Sequence, residues 1–502
     1  MSHANPDRQQ PSVRRHLVGG IVVNLVANVF LYLGHLIIAR GLSREDYAVF
    51  TVTVSFISLL ALFADLGLTL LFVRKFAEAD EAARQGANDR RGELLGSILT
   101  LRIILSLGVS AFVWFAAPLL GYPGTTVHLM RIMLLTLFIS SRLMVVRSVG
   151  EAYLRGHNRY YQVAIFALVD AAVFAIALFA FYKPTLSLES AVWIYSLCHL
   201  PGFILLVVTI ARHAREFRFR LSARFDQVFS MVREGLPLIL STTFLTIHNF
   251  ADALLLDRLS TPQEVSAFGA GLRVLTAVIF LPSVFSAVIG PRVTQAVVRK
   301  DHEHVRGMVA QAIALLLVTS LSIAMVLQAA PLTIVRVLFG GAKYADAASI
   351  IVIFGWAIVP IAIATFLTEI AIAEGALWIS TMYMATIMVI SVGLDIVLIP
   401  TYGALGTAIA KAVAVSVGTV ALVYRSRLLG VVRASDLWSL LGRCAVAVVA
   451  AVVGMWLMHT YAFSSEIVTA AVSLTVFLLG IVVLQVIPTD ELRRLLQPLR
   501  SR

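Results

Sequence analysis

Several ionisable residues sit in stretches of this chain that are otherwise apolar. A charge at the centre of a membrane helix costs about 2.5–3.5 kcal/mol on insertion scales, so each needs a reason. Arg273, Lys411 and Arg102 are cations well inside apolar runs. A guanidinium grips phosphate oxygens through two parallel hydrogen bonds, and such residues suit an anionic cargo. Two readings need no ligand: Lys411 pairs with Asp395, and Arg102 snorkels to the nearer membrane surface. His248, Asn249 and Asp252 form a compact polar cluster, with His248 and Asp252 one helical turn apart. An acid beside an imidazole suits proton coupling, and equally a self-satisfied local pair. Asp65 and Asp170 are further buried acids and candidates for a coupling H+ or Na+; otherwise Asp65 has a structural role in the inner half of its helix and Asp170 pairs with an arginine. Asn24, Asn28 and His35 share one helix face by their spacing. Amides both donate and accept, as sugar hydroxyls require, although interhelical hydrogen bonding uses them in the same way.

The elements that must position these groups are membrane helices. Of 502 residues, 59% are apolar and 14% charged, whereas a soluble domain is about 45–50% apolar and about 25% charged. A hydrocarbon core of about 30 Å needs about twenty apolar residues per crossing. Such runs occur near 17–38, 46–72, 94–117, 127–148, 160–182, 189–210, 235–257, 264–290, 307–329, 347–370, 377–399, 404–424, 438–459 and 465–487. The expectation is therefore an all-α integral membrane protein of about fourteen transmembrane helices. The first run is too long for a signal-peptide core and is expected to be retained. Pro282 and Pro360 fall inside runs as hinge candidates, and Pro237 is expected at the first turn of its helix.

Basic residues test that count. With the N-terminus inside, about 29 Lys and Arg residues fall in cytoplasmic segments and about six in outer loops. A missed helix would invert every later loop and erase the asymmetry, so both termini are expected in the cytoplasm. The net charge of +12 then has a topological cause and does not imply nucleic acid.

One offset superposes Arg40 on Arg258, Asp46 on Glu264, Phe50 on Phe268, Arg74 on Arg292 and Glu151 on Glu369. The expected organisation is a cytoplasmic tail (1–16), a six-helix lobe (17–210), a basic connector (211–234), a second six-helix lobe (235–424), two further helices (438–487) and a cytoplasmic tail (488–502). An even number of helices per repeat gives both lobes the same orientation, a layout suited to alternating access. Arg40 and Arg258, at equivalent outer ends, are gate candidates, or close their helices through local ion pairs with Glu45, Asp46 and Glu264. In the connector Phe217, Phe219 and Phe225 interleave with arginines, as on a membrane-surface segment or in a solvated linker.

Three segments of the first half carry a family resemblance: Ala39-Arg-Gly-Leu-Ser-Arg-Glu-Asp-Tyr-Ala-Val-Phe50, Ala64-Asp-Leu-Gly-Leu68 with Arg74, and Glu151-Ala-Tyr-Leu-Arg-Gly156. In the second half it is carried by Gly235-Leu-Pro-Leu238, Leu281-Pro282 with Pro291-Arg292, and Ile399-Pro400 with Gly403-Ala-Leu-Gly406. Together they resemble the multidrug/oligosaccharidyl-lipid/polysaccharide (MOP) exporter superfamily, and within it the polysaccharide-transporter branch with Wzx-type O-antigen flippases. The resemblance implies a two-lobed flippase of the cell inner membrane that moves an undecaprenyl-diphosphate-linked oligosaccharide for polysaccharide biosynthesis. Cationic cavity residues would hold the diphosphate, which makes Arg273 the leading candidate because the eighth helix lines the cavity in the family. Implied partners are the lipid-linked oligosaccharide, membrane lipids, a coupling ion and polysaccharide assembly proteins. The alternatives within the superfamily are a drug:cation antiporter and a lipid II flippase. The lipid II flippase shares fourteen helices, and multidrug members usually have twelve.

An enzyme acting on such lipids needs catalytic groups on a substantial outer loop. The longest one here, roughly 330–346, carries no acid/base constellation. The sequence contains no metal-ligand spacing, no phosphate-binding glycine loop and no nucleophile elbow, and no cofactor is expected. Cys198 and Cys444 both lie in apolar runs and read as small buried hydrophobes.

Overall fold

The computed structural model describes residues 10–65, 67–85, 91–143, 145–157, 159–182, 186–213, 225–298, 302–428, 434–460 and 465–486. The chain divides into two compact units, Met1–Leu254 and Leu255–Arg502. Much of the expected basic connector, including Phe217 and Phe219, lies outside the described residues, as do residues 1–9 and the whole of the expected C-terminal tail.

The first unit contains α1 (Gln10–Gly41), α2 (Arg44–Asp65), α3 (Leu68–Arg84), α4 (Arg91–Ala116), α5 (Gly124–Met133), α6 (Leu135–Ile139), α7 (Val146–Gly156), α8 (Tyr160–Phe181), α9 (Leu188–Leu197) and α10 (Leu200–His213). Most of α11 (Phe225–Leu259) also belongs to it. Because α11 begins at Phe225, Pro237 lies inside the helix and not at its first turn. The Asp46 amide of α2 donates to Ser43 Oγ at 3.0 Å, which caps the helix start.

Three runs expected as continuous helices are broken here, and each break has a local cause. The run over 46–72 stops at Asp65 and restarts at Leu68 through Gly67, whose φ of 62° is left-handed. A Cβ on Gly67 would lie 2.6 Å from Thr242 Oγ1 and 2.9 Å from Ile239 Cα, so the close approach of α11 also requires glycine. The run over 127–148 unwinds between Ile139 and Val146. The Arg142 amide there donates to Ser140 Oγ at 3.1 Å, a local bond that competes with the helical one. The run over 189–210 pauses at Cys198 and His199. Pro201 has no N–H for the preceding turn, but fits the first turn of the restarted α10. Apolar run length detects none of these interruptions.

The second unit contains α12 (Pro262–Val298), α13 (His302–Ala329), α14 (Pro331–Phe339), α15 (Ala347–Ala373), α16 (Leu377–Leu428), α17 (Ala434–Thr460) and α18 (Glu466–Val483). Leu316, Met325, Phe366, Ala414 and Phe477 pack in its core. At Gly403 in α16, φ is 53° and ψ −132°, so the helix bends there. Glu264 fixes the bend, because its Oε2 accepts the Ala404 amide at 2.7 Å. A Cβ on Gly403 would lie 2.6 Å from that same oxygen. Glu466 acts similarly on α14, accepting the Thr333 amide at 2.7 Å.

Among the described residues, twelve helical segments are long and apolar enough to cross a membrane, and Gly124–Ile139 is a shorter apolar stretch. The chain is a multi-pass integral membrane protein. The segment Leu377–Arg427, 51 residues long, contains the Gly403 bend. At 1.5 Å per residue it extends about 77 Å, more than two hydrocarbon thicknesses.

Candidate functional site

Breaking a helix at membrane depth frees carbonyls that lipid cannot satisfy, so something in the protein must bond them. In the first unit two buried arginines do so. Arg102 on α4 is 1% exposed. Its Nη2 donates to Asp65 Oδ1 at 2.6 Å and to Thr69 Oγ1 at 2.8 Å, spanning the Gly67 break. Its Nη1 donates to the Val145 carbonyl at 2.7 Å and to Ser148 Oγ, at the second break. The expectation for Arg102 was contact with substrate or snorkelling. The structure instead uses it to join two interrupted helices, because Asp65 and the Val145 carbonyl compensate a charge too deep to reach water.

Arg147, also 1% exposed, opens α7. Its Nε donates to Glu151 Oε1 at 2.9 Å, and its Nη1 faces Asp170 Oδ2, the Ile139 carbonyl at 3.2 Å and the His199 carbonyl at 3.1 Å. One guanidinium thus serves carbonyls from the second and third breaks together with two carboxylates. Asp170 Oδ1 accepts the Gly202 amide at 2.9 Å in the first turn of α10. A Cβ at Gly202 would lie 2.3 Å from that oxygen, so only glycine admits the cap. Asp170, expected either to couple an ion or to pair with an arginine, does the latter. Arg147, at the end of the expected run over 127–148 and not singled out there, is a buried structural centre. The signal available in sequence was the i, i+4 ladder Arg147–Glu151–Arg155.

This network forms one wall of a cavity of about 590 Å³ inside the first unit. Asn24, Asn28, Arg142, Glu151, Arg155 and His199 are among the residues that line it. Two of these, Asn24 and Asn28, were expected on a polar face, and Asn28 Nδ2 donates to the Asn24 carbonyl at 2.9 Å. Their partner in the expected stripe, His35, is buried away from the cavity lining, with ring centroids 5.5 Å from Phe174 and 6.0 Å from Tyr195. Arg142 was not singled out as a site residue, yet it stands in the unwound segment with its guanidinium carbon 5.3 Å from the Phe174 ring and 5.4 Å from the Tyr195 ring.

The remaining candidates lie elsewhere. His248 and Asp252 are buried on α11, and Lys411 and Asp395 are buried on α16. Arg40 and Arg258 are exposed at helix ends. Arg273 is half-buried on α12, and among the described residues it makes no hydrogen bond or ion pair. Among the described residues no group of His, Cys, Asp and Glu is arranged to hold a metal.

The sequence profile described as polysaccharide biosynthesis protein matches residues 17–297 of this chain, more than half of it. The chain belongs to that family. A second profile, MatE, matches residues 237–401 of this polysaccharide biosynthesis protein family member. A search of curated proteins finds none that matches. Among solved structures, a lipid II flippase MurJ in its inward closed conformation aligns with a TM-score of 0.73 at 13% identity, covering 95% of this chain and 99% of that one. An inward-facing multidrug resistance MATE family transporter of the MOP superfamily aligns at 0.62 and 18% identity, covering 81% and 98%. A mutant of the Vibrio cholerae MATE transporter VcmN aligns at 0.59 and 16% identity, covering 84% and 96%. At these identities the likeness is one of fold, that of MOP-superfamily transporters. Family and fold together support transport and not enzymatic catalysis.

Proposed function

We propose that this chain is a secondary transporter that flips a polyprenyl-diphosphate-linked glycan across the cell inner membrane by alternating access. Arg273 carries the reading: a half-buried guanidinium on a membrane helix, with no carboxylate on it among the described residues, suits an anionic cargo. The family match supports a role in glycan assembly. The extent of the structural likeness favours lipid-linked cargo over a small-molecule cargo, since the lipid II flippase aligns with 95% of this chain and the multidrug transporters with 81% and 84%.

The same reading takes fourteen crossings, counting the bent 51-residue segment as two and adding Gly124–Ile139. Both termini are then cytoplasmic, and the two lobes run over 17–210 and 235–424. Lys411 is a second candidate for the diphosphate. His248 with Asp252 is the candidate coupling pair, and Arg40 with Arg258 the candidate outer gate. Exchange of a small molecule for a cation is the second reading, favoured by the MatE match over 237–401.

Charge reversal tests the assignment. Arg273→Glu is expected to abolish export of the lipid-linked glycan in cells while the amount of protein in the membrane stays at the wild-type level. Full export by this variant would remove Arg273 from cargo binding.

A further inference from the structure

The cavity of the first unit has a charge imbalance that its own residues do not resolve. Behind its lining, Arg147 is matched by Asp170 and Glu151, and Arg155 Nη2 adds a 3.4 Å contact to Glu151. Arg142 has no such match. Its guanidinium touches the Phe174 and Tyr195 rings, and its Nη1 is buried without a hydrogen bond. Among the described residues no carboxylate pairs with it. With Arg147 behind the lining and Arg142 and Arg155 in it, three guanidiniums stand against the carboxylates of Glu151 and Asp170. His199, 1% exposed and also lining the cavity, makes no hydrogen bond through either ring nitrogen, with Nδ1 3.6 Å from Asp170 Oδ2. A half-buried guanidinium over two rings, with one buried nitrogen unbonded, beside an imidazole whose nearest carboxylate oxygen is 3.6 Å away, is a donor set with hydrogen bonds still to make. Unwound backbone within a membrane is tolerated where it is buried in protein or lines a cavity, and Ser141 and Arg142 come from that kind of segment.

We propose that this cavity binds a phosphate or diphosphate group, with Arg142 as the primary grip, Arg155 and His199 as further donors, and Asn24 and Asn28 facing attached hydroxyls. A volume of about 590 Å³ lies within the range of pockets that enclose molecules well above phosphate in size, so sugar as well as phosphate has room. The site lies wholly inside the first unit and is independent of Arg273, which belongs to the second. That the phosphate arrives on a lipid-linked glycan rests on the function proposed above. Phosphate chemistry at Arg142 does not.

Titration calorimetry on the full chain in zwitterionic nanodiscs tests this, with inorganic pyrophosphate, farnesyl diphosphate and an uncharged disaccharide as probes. Wild-type protein is expected to bind both diphosphates and to bind the disaccharide far more weakly. Loss of charge-assisted bonds of about 1.5–3 kcal/mol predicts that Arg142→Gln weakens diphosphate binding about tenfold or more. Ala167→Phe, which fills the cavity and leaves every charge in place, is expected to weaken it as well. Equal affinity for the two diphosphates assigns the site to a free phosphate ligand, and tighter farnesyl diphosphate binding assigns it to a lipid headgroup. Unchanged binding in folded Arg142→Gln, or loss in Arg273→Gln alone, overturns the site. If Arg142-dependent binding persists in a protein that flips no lipid-linked glycan, the proposed function falls and the site stands.

Discussion

Arg147→Met is expected to destabilise the first unit by about 3–5 kcal/mol, the range seen when one partner of a buried ion pair is removed. The methionine fills similar volume, so the loss is electrostatic. Asp170 and Glu151, both buried, lose the guanidinium they share, which leaves Glu151 only its 3.4 Å contact to Arg155, and the Ile139 and His199 carbonyls lose their donor. Each orphaned carbonyl adds a desolvation cost of about 1–3 kcal/mol that partial relaxation offsets. Thermal unfolding of the purified protein in detergent, followed by loss of the monodisperse species, measures the effect. Arg147→Lys is expected to fall between, because an ammonium keeps the charge and loses the planar fork. Adding Asp170→Asn to Arg147→Met is expected to recover part of the loss, since the amide oxygen still accepts the Gly202 amide and the stranded charge is gone. A single Arg147→Met variant as stable as wild type contradicts the network.

Arg102→Met is the second large effect, expected near about 3 kcal/mol, the lower end of the same range. Its carboxylate partner Asp65 is half-buried and water takes up part of the stranded charge. The variant separates two roles that sequence left open. A substrate-binding arginine, once removed, leaves a stable and inactive protein. An arginine that joins the Gly67 and Val145 breaks leaves an unstable one, and Asp65→Asn, which keeps an acceptor for Nη2, is expected to be milder. Unfolding temperatures of Arg102→Met and Asp65→Asn, measured side by side, distinguish these outcomes.

These two residues also mark how far the sequence was legible. Membrane residence, most helix positions and the apolar length of each span follow from composition and run length, which register burial in lipid directly. The break at Gly67 was embedded in the Ala64–Leu68 segment already noted, but nothing in apolar periodicity distinguishes a glycine that packs against α11 from one that bends the chain. The Ser140–Ser141–Arg142 segment and Pro201 carried local signals for the other two breaks. Run length outweighed them, and it gave no sign that Arg147, at the end of the run over 127–148, is a buried centre. The partnership of Arg102 with Asp65 joins α4 to α2, and that of Arg147 with Asp170 joins α7 to α8. Both are tertiary facts that spacing within one helix cannot supply. Asn24 and Asn28 were legible because one helix face suffices to place them together.

The most direct test of the account is lipid transfer in proteoliposomes that contain the full chain and a polyprenyl-diphosphate-linked oligosaccharide. Exposure of the glycan to a membrane-impermeant glycosidase reports its movement between leaflets. The account predicts protein-dependent transfer that Arg273→Glu eliminates. Absence of transfer, together with exchange of a cationic drug for protons by the same vesicles, would contradict it and leave the antiporter reading in its place.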